Sequence, residues 1–248
     1  MTFFLHNTQF IVPEQFRAIP WLFAGCSTRH FGWEESPSHF YRAFRMLNIT
    51  PEVVIRGTQI HSNKVHIIEK HSRFNPEQKE HMVELPDIDG LITMDPDVGI
   101  VVVTADCAPI FLVETEKKII GLVHAGWKGT LEGIAIQAIE KMLEVGATKD
   151  KIRAWIGPTI GVCCYEVSEE LTVRFTDTFS YGRECINGRN LDLPRLNALQ
   201  LRHCGLKEQH LVIEDYCTKC HVKNCYSYRA EGERAGRMIS FMMKTTIE

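Results

Sequence analysis

The sequence predicts an α/β or α+β fold with a mixed sheet. Short β-rich runs interleave with amphipathic segments of helical periodicity, which is typical of sheets covered by helices. The chain has 248 residues, of which 44% are apolar and 24% charged, enough to bury one substantial core. No repeat, low-complexity tract or Gly/Ser linker marks a boundary, so we expect a single domain over residues 1–248.

The predicted strands begin with a hairpin. VVIRGTQIH and KVHIIEK are β-rich runs separated by Ser62 and Asn63, and this spacing predicts paired strands with His61 at the mouth of the turn. Further runs of strand character are DGLITM, VGIVVVTA, KKIIGLVHA, KIRAWIG and HLVIEDY. Several of these runs are apolar throughout, which indicates strands covered on both faces.

Four segments have the signals of helices. TLEGIAIQAIEKMLEVG has one apolar stripe, with Thr130 suited to its start and Gly146 to its end. SEELTVRFTDTF offers Ser168 as an N-cap, followed by acidic residues. LDLPRLNALQLRHCG begins with Asp192 and stops at Gly205. The segment EGERAGRMISFMM is interpreted as a last helix that closes the chain.

Charge and composition limit the partners. The net charge is −3, and residues of both signs are scattered, so no basic face is evident that would attract nucleic acid or an anionic membrane. The N-terminus has no basic region before its short apolar patch, and no window approaches the roughly 18 apolar residues of a spanning helix. We therefore expect a cytoplasmic protein that binds neither nucleic acid nor membrane.

The cysteines indicate reduced thiols. Their number, nine, is odd, and without a secretory signal this favours ligands or nucleophiles over disulfides. CTKCHVKNC places Cys217, Cys220 and Cys225 in one compact knuckle without a distant second CxxC, and whether it binds a metal stays open. Cys163 and Cys164 follow IGPTIG, where we expect two buried thiols at a loop-to-strand junction.

Three potential metal ligands follow the ends of apolar runs. His61 follows the first hairpin strand, Cys107 follows VVVTAD, and His124 follows IIGLV. Strand ends can converge, and a thiolate with two neutral imidazoles suits zinc or copper. Three protein ligands leave a fourth position for water, as catalytic zinc sites require. Taken one by one, the same residues could equally be a buried thiol and two satisfied histidines.

Seven motifs in order resemble those of the YfiH-like family, from about residue 25 to about residue 236. They are GTQIHSNKV, DIDGLIT, TADCAPI, LVHAGWKGT, IGPTIGVCCYEV, LDLPRLNALQL and CTKC. That family was labelled multicopper polyphenol oxidoreductase, or laccase-domain protein, and is described as a purine nucleoside phosphorylase with adenosine deaminase activity. The resemblance implies a layered α/β/β/α single domain and a metal triad of His61, Cys107 and His124. It also implies purine nucleosides and phosphate as partners.

Two departures from the family pattern concern phosphate. CSTRHFGWEESP keeps Arg29 but has Phe31 and Gly32 where the family has paired glycines. HAGWKG has Lys128 where members often carry Arg, which keeps the charge and loses the bidentate fork. Arg29 and Lys128 are the predicted phosphate-binding residues.

Asp106 and Gln59 are the predicted catalytic helpers. Asp106 adjoins Cys107 and could act as a general acid or base, although neighbours on a strand point to opposite faces. Gln59 lies two residues before His61 and shares its face in a regular strand. Asp89 in DIDG could serve the site or simply a turn.

The predicted function is a zinc-dependent purine nucleoside phosphorylase, or one using copper, that acts on adenosine, inosine and methylthioadenosine and also deaminates adenosine. An open zinc position can activate water for attack on C6 of adenine. One alternative is a metal-free cysteine hydrolase or deamidase with Cys107 as nucleophile and His124 as base, which has no need for His61. The other is a copper-dependent polyphenol oxidase, although a lone three-ligand site lacks the extra coppers that reduction of oxygen needs.

Overall fold

The computed structural model describes residues 2–5, 9–68 and 81–246. In chain order the described strands are β1 (Thr2–Leu5), β2 (Phe10–Pro13), β3 (Leu22–Ser27), β4 (Val53–Gly57), β5 (Val65–Ile67), β6 (Met82–Leu85), β7 (Gly90–Thr93), β8 (Val98–Thr104), β9 (Ala108–Glu114), β10 (Ile119–Ala125), β11 (Ile152–Ile156), β12 (Ile186–Asn187), β13 (Asn190–Leu191), β14 (Leu211–Ile213) and β15 (Met238–Lys244). The α-helices in these ranges are α1 (Glu14–Arg17), α2 (Pro37–Arg45), α3 (Trp127–Leu131), α4 (Ile134–Glu144), α5 (Glu169–Thr178), α6 (Leu193–His203) and α7 (Tyr228–Glu231).

The strands form two large mixed sheets and a small ribbon. The first sheet has the order β1-β2-β3-β15-β8-β4-β6, in which β4 runs parallel to both of its neighbours. The second has the order β14-β11-β9-β10-β7-β5, with parallel pairs at its two edges. Strands β12 and β13 form the ribbon. The predicted mixed α/β class is confirmed.

The two sheets pack face to face with helices on their outer sides. Side chains of the first sheet, such as Ile100 and Met242, share one buried cluster with Phe111 and Trp155 of the second. Helix α2 covers the outer face of the first sheet, where Phe44 packs against Phe241. Helices α4 and α6 cover the outer face of the second sheet. Because apolar residues alternate between the two faces of each strand, both sheets are buried on both sides, and the four layers are α/β/β/α as expected.

The predicted hairpin before and after His61 is wrong. Strand β4 lies in the first sheet and β5 in the second, so the segment between Gly57 and Val65 crosses from one sheet to the other. The crossing is fixed from outside the segment, because the backbone N–H groups of His61 and Ser62 donate to the carboxylate of Asp89. The sequence of the segment alone could not show that Asp89, far along the chain, would bind its backbone.

The predicted long helix after Gly129 consists of two shorter ones. Helix α3 begins at Trp127, and the chain breaks at Gly133, which has a φ of 78°, before α4 begins. Thr130 does not cap a helix: it is buried and hydrogen-bonded to Asn197. The predicted N-caps of α5 and α6 are confirmed, since Ser168 and Asp192 accept backbone N–H bonds in the first turn.

The predicted last helix is also wrong. Helix α7 ends at Glu231, and the apolar run that follows Gly236 is β15, a fully buried strand between β3 and β8. A short, wholly apolar run does not distinguish a buried strand from a buried helix. Here the run forms a strand because it pairs with β3 and β8 on its two sides. Among the described residues, no helix combines the length and apolar character needed to cross a bilayer.

Candidate metal centre and cleft

His61, Cys107 and His124 converge at one end of the two sheets. The register of β9 and β10 pairs Ala125 with Ala108, so Cys107, directly before the first residue of β9, stands beside His124 near the end of β10. The His61 and His124 rings lie 4.8 Å apart, and the ligand-capable atoms of all three residues lie within 4.8 Å of one another. His124 is buried, Cys107 is half-buried and His61 is exposed. The structure therefore brings the predicted triad together at a solvent-facing edge.

Asp89 connects two members of the triad. It is 1% exposed, and its Oδ1 accepts a bond from His124 Nδ1 at 2.8 Å and from the His61 backbone N–H at 3.0 Å. Its Oδ2 accepts bonds from the backbone and hydroxyl of Ser62 at 2.7 Å. Burial alone would raise the pKa of Asp89, but the bonds from His124 and Ser62 outweigh it and lower this pKa to about 2. The ionised carboxylate keeps a proton of His124 on Nδ1, so Nε2 is the nitrogen that a metal ion would bind.

The charges at the triad favour a thiolate. Burial would raise the pKa of Cys107, but His124 and His61 outweigh it and lower this pKa to about 6. Burial would lower the pKa of His124, but Cys107 and Asp89 raise it to about 9. At neutral pH these values give a Cys107 thiolate beside a His124 imidazolium. A bound ion would displace the Nε2 proton of His124, and the resulting thiolate and two imidazoles are a donor set that zinc and copper accept. The residues present therefore fit such an ion.

Two glycines of the HAGWKG motif allow the His61 loop to approach. A Cβ on Gly126 would lie 2.7 Å from Cδ2 of His61 and 3.2 Å from Sγ of Cys107. A Cβ on Gly129 would lie 2.5 Å from the carbonyl oxygen of Ser62. His61 itself adopts a φ of 64°, a strained conformation for a non-glycine residue that the bonds to Asp89 support. The close approach of the His61 loop to the other two triad residues therefore depends on the absence of side chains at Gly126 and Gly129.

The two predicted catalytic helpers have structural partners. Asp106 accepts bonds from the Thr218 hydroxyl at 2.5 Å and from the Arg229 backbone N–H at 2.6 Å. The amide of Gln59 donates to and accepts from the backbone of Val103, both at 2.8 Å. These contacts hold loops and strands in place near Cys107. The catalytic roles of both residues stay predictions.

The two predicted phosphate ligands have different surroundings. Arg29 forms an ion pair with Glu231, and its guanidinium lies 4.5 Å from the Tyr226 ring centre. Lys128 is exposed in the first turn of α3, with Nζ 5.6 Å from the ring of Trp127. The expectation that Lys128 precedes the helix is wrong, because α3 already begins at Trp127. Phosphate binding by either residue stays a prediction.

A cleft of about 510 Å³ has no triad residue in its lining, but two of its lining residues connect it to the triad. Its lining includes Trp127 and Tyr165. Trp127 directly follows Gly126, which lies against His61 and Cys107. Burial, reinforced by the nearby Cys107, raises the pKa of Tyr165, so its hydroxyl remains a hydrogen-bond donor at neutral pH. Arg189 and Arg229 add two guanidinium groups to the lining, although Arg189 is paired with a carboxylate of the same cleft, and the guanidinium of Arg229 lies 5.1 Å from the Tyr165 ring centre. Sequence reasoning missed all four residues, although aromatic residues inside HAGWKG and CCYEV were the available signal.

Comparison with known proteins agrees with this geometry. A family model described as "Multi-copper polyphenol oxidoreductase laccase" matches residues 37–245, which is most of the chain. The chain belongs to this YfiH-like, laccase-domain family.

Relatives in the YfiH-like family carry two kinds of enzyme name. The chain is 32% identical over 195 residues to "Purine nucleoside phosphorylase YlmD" of Geobacillus stearothermophilus, covering 74% of this chain and 69% of the relative. It is 32% identical over 198 residues to "Adenosine deaminase RL5" from an unknown prokaryotic organism, covering 77% and 75%. A crystal structure of the Bacillus licheniformis hypothetical protein YfiH matches with a TM-score of 0.84 at 23% identity, covering 96% and 97%, and shows the same fold.

Proposed function

We propose that the chain is a zinc-dependent purine nucleoside phosphorylase that also deaminates adenosine. The names of its relatives supply the reaction class. The observation that carries the proposal for this chain is the triad anchored on Asp89, together with a cleft whose lining includes two aromatic rings and two arginines. Copper is the second candidate ion, since it generally binds the same ligands more tightly. Adenosine, inosine and methylthioadenosine are the proposed substrates, and the cytoplasm is the expected location.

Three protein ligands and one carboxylate prepare the site for chemistry. When bound, zinc would supply Lewis acidity and a coordination position for water. Asp89 fixes the tautomer of His124 and at the same time holds the His61 loop in place. Asp106 positions the chain next to Cys107, because both of its carboxylate oxygens accept bonds from other segments.

The cleft suits a purine nucleoside in size and lining. Its volume lies within the roughly 300–1,000 Å³ of small-molecule sites. Trp127 and Tyr165 offer ring faces for a planar base, and the Tyr165 hydroxyl can donate to a base nitrogen or a ribose oxygen. In phosphorolysis, phosphate forms the new bond to C1′ while the bond to the purine breaks, and the purine leaves after gaining a proton.

Lys128 is the phosphate ligand that this arrangement favours. Its exposed side chain follows Trp127, which lines the cleft, and among the described residues it forms no ion pair that phosphate would have to break. Arg29 already pairs with Glu231, and phosphate would have to compete with that carboxylate. Arg29 therefore remains the weaker candidate for the same role.

A second candidate function rests on the same atoms. Asp89, His124 and Cys107 also form an acid–base–nucleophile series of the kind found in cysteine hydrolases. The lowered pKa of Cys107 favours it. His61 separates the two candidates, because a nucleophilic pair does not use it and a metal site does. A copper oxidase is a weaker alternative, because among the described residues the other candidate metal group consists of thiols alone.

The proposed reaction is tested by incubating purified protein with adenosine, with and without phosphate, and separating the products by chromatography. We expect adenine and ribose 1-phosphate only when phosphate is present, and inosine with ammonia under both conditions. Removal of the metal by a chelator should stop both reactions, and zinc should restore them. The absence of both base release and inosine after long incubation of the zinc-loaded protein would refute the proposal.

A further inference from the structure

Four cysteines outside the triad form a second cluster. The Sγ atoms of Cys163, Cys164, Cys217 and Cys220 lie within 4.8 Å of one another. The expectation that Cys163 and Cys164 are two buried thiols is wrong, because Cys163 is exposed and Cys164 half-buried. Cys225, the remaining cysteine of the knuckle, is buried apart from this group. The CTKC pair therefore has a partner pair, which is a CC dipeptide more than fifty residues earlier in the chain.

We propose that these four cysteines bind a structural zinc ion as thiolates. Zn–S bonds of about 2.3 Å in a tetrahedron place the sulfurs about 3.8 Å apart. Cys220 Sγ lies 3.6 Å from Cys163 Sγ and 3.5 Å from Cys164 Sγ, and no pair in the group exceeds 4.8 Å. Zinc needs only small side-chain shifts to bind all four. Each thiol that coordinates the ion releases its proton to solvent.

The spacing of the sulfurs distinguishes a metal site from a disulfide. A disulfide joins one sulfur to one other at about 2.05 Å. Cys220 Sγ instead has two neighbours at nearly equal distances, and Cys217 belongs to the same group. Convergence of four sulfurs on one point is what a single ion requires, whereas two disulfides need two separate pairs.

The backbone around the cluster is shaped for thiolates. The N–H of Gly161 donates to Cys217 Sγ at 3.3 Å, a bond that favours the charged form of the sulfur. A Cβ on Gly161 would lie 3.4 Å from Cys163 Sγ and 3.3 Å from Cys217 Cβ, so the loop passes directly over the cluster.

The cluster joins two loops that also meet at Asp106. Thr159 Oγ1 donates to the Asp106 carbonyl at 2.6 Å, and Thr218 Oγ1 donates to its carboxylate at 2.5 Å. The Thr218 N–H donates to the Thr159 carbonyl at 3.0 Å. An ion between these loops would therefore fasten them next to Cys107. Its role is structural, because four protein ligands leave no position for substrate.

Zinc stoichiometry tests the second site. Protein is produced with zinc and reductant, and metal is measured by mass spectrometry in wild type, Cys220→Ser and the matched control Cys204→Ser, a half-buried thiol outside the cluster. We expect Cys220→Ser to hold one zinc ion fewer per chain than wild type, and Cys204→Ser to hold as much as wild type. Equal zinc in wild type and Cys220→Ser would overturn the proposal.

X-ray absorption at the zinc edge provides a test that does not depend on the folding of Cys220→Ser. His61→Ala removes a ligand of the triad and leaves the four cysteines unchanged. Its remaining zinc should have four sulfur neighbours at about 2.3 Å and no nitrogen neighbour. No bound zinc, or zinc with nitrogen ligands, would overturn the proposal. If the triad binds no metal but the cluster does, wild type holds a single zinc ion with four sulfur neighbours. Failure of the triad proposal is therefore distinguishable from failure of the four-cysteine proposal.

Discussion

The His61–Cys107–His124 triad and the four-cysteine cluster arrange their candidate metal ligands in opposite ways. The triad has three candidate ligands from three separate segments and a buried carboxylate bonded to two of them. The cluster has four candidate ligands in two close pairs, supported by a backbone N–H group. Three ligands leave a position for chemistry, and four do not. The number of ligands therefore predicts a reactive metal site at the triad and a structural metal site at the four-cysteine cluster.

The largest expected effect contrasts one cysteine from each site. Cys107→Ser should lower phosphorolysis by about a thousandfold, or about 4 kcal/mol, because the metal and its Lewis acidity are lost. Cys220→Ser should keep turnover within about tenfold, since its sulfur touches no substrate in the proposed arrangement. Steady-state kinetics with zinc analysis of both variants checks this. Equal losses in the two variants would erase the functional difference between the sites.

Asp89→Asn sharpens the comparison by removing the charge behind the triad. It should weaken zinc binding at the triad by about 10- to 100-fold, because His124 loses the carboxylate that fixes its tautomer. Asp87→Asn, in the exposed turn of the same loop, is the matched control and should bind zinc as wild type does. Competition with a chromophoric chelator measures both. An unchanged zinc affinity in Asp89→Asn would show that the carboxylate only shapes the loop.

Lys128→Ala separates the phosphate-dependent reaction from the water-dependent one. It should weaken phosphorolysis by about tenfold or more, from the roughly 1.5–3 kcal/mol of a hydrogen bond to a charged group. Deamination and zinc content should stay nearly unchanged. Lys128→Arg should be milder, and Lys141→Ala on α4 serves as a remote control. Kinetics at varied phosphate decide: equal losses in both reactions, or none, would remove Lys128 from the phosphate site.

The smallest expected effect concerns the wall of the cleft. Tyr165→Phe removes one hydroxyl and keeps the ring, so kcat/KM for adenosine should fall about two- to tenfold, from roughly 0.5–1.5 kcal/mol per hydrogen bond. Zinc content should not change. Tyr228→Phe, whose side chain is exposed, is the control. A loss of zinc in Tyr165→Phe would mean that the ring supports the triad and not the substrate.

Local signals in the sequence predicted the parts of the molecule that local chemistry determines. Ser168 and Asp192 cap helices because each bonds to a backbone N–H three residues ahead. His124 lies near Cys107 because it stands at the end of β10, which pairs with the beginning of β9 directly after Cys107. Such contacts depend on short spacing and on strand ends, which a pattern of residues can show.

Long-range contacts were beyond the reach of those patterns. The hairpin prediction failed because Asp89, well beyond the segment, accepts a hydrogen bond from the backbone N–H of His61 and holds its loop between the two sheets. The partner of the CTKC pair was missed because contacts between residues far apart in sequence, such as Thr218 with Thr159 and Gly161 with Cys217, bring the two loops together. The prediction of a last helix also failed because of long-range contacts: the segment forms strand β15 by pairing with β3 and β8.

Zinc content and adenosine turnover of His61→Ala test the central claim most directly. His61 is exposed and contributes one imidazole, and the metal-dependent function needs it whereas a Cys107–His124 nucleophile does not. We expect His61→Ala to lose one zinc ion per chain together with both phosphorolysis and deamination, while circular dichroism remains that of wild type. Full turnover with wild-type zinc content in this variant would contradict the metal triad and favour the cysteine nucleophile.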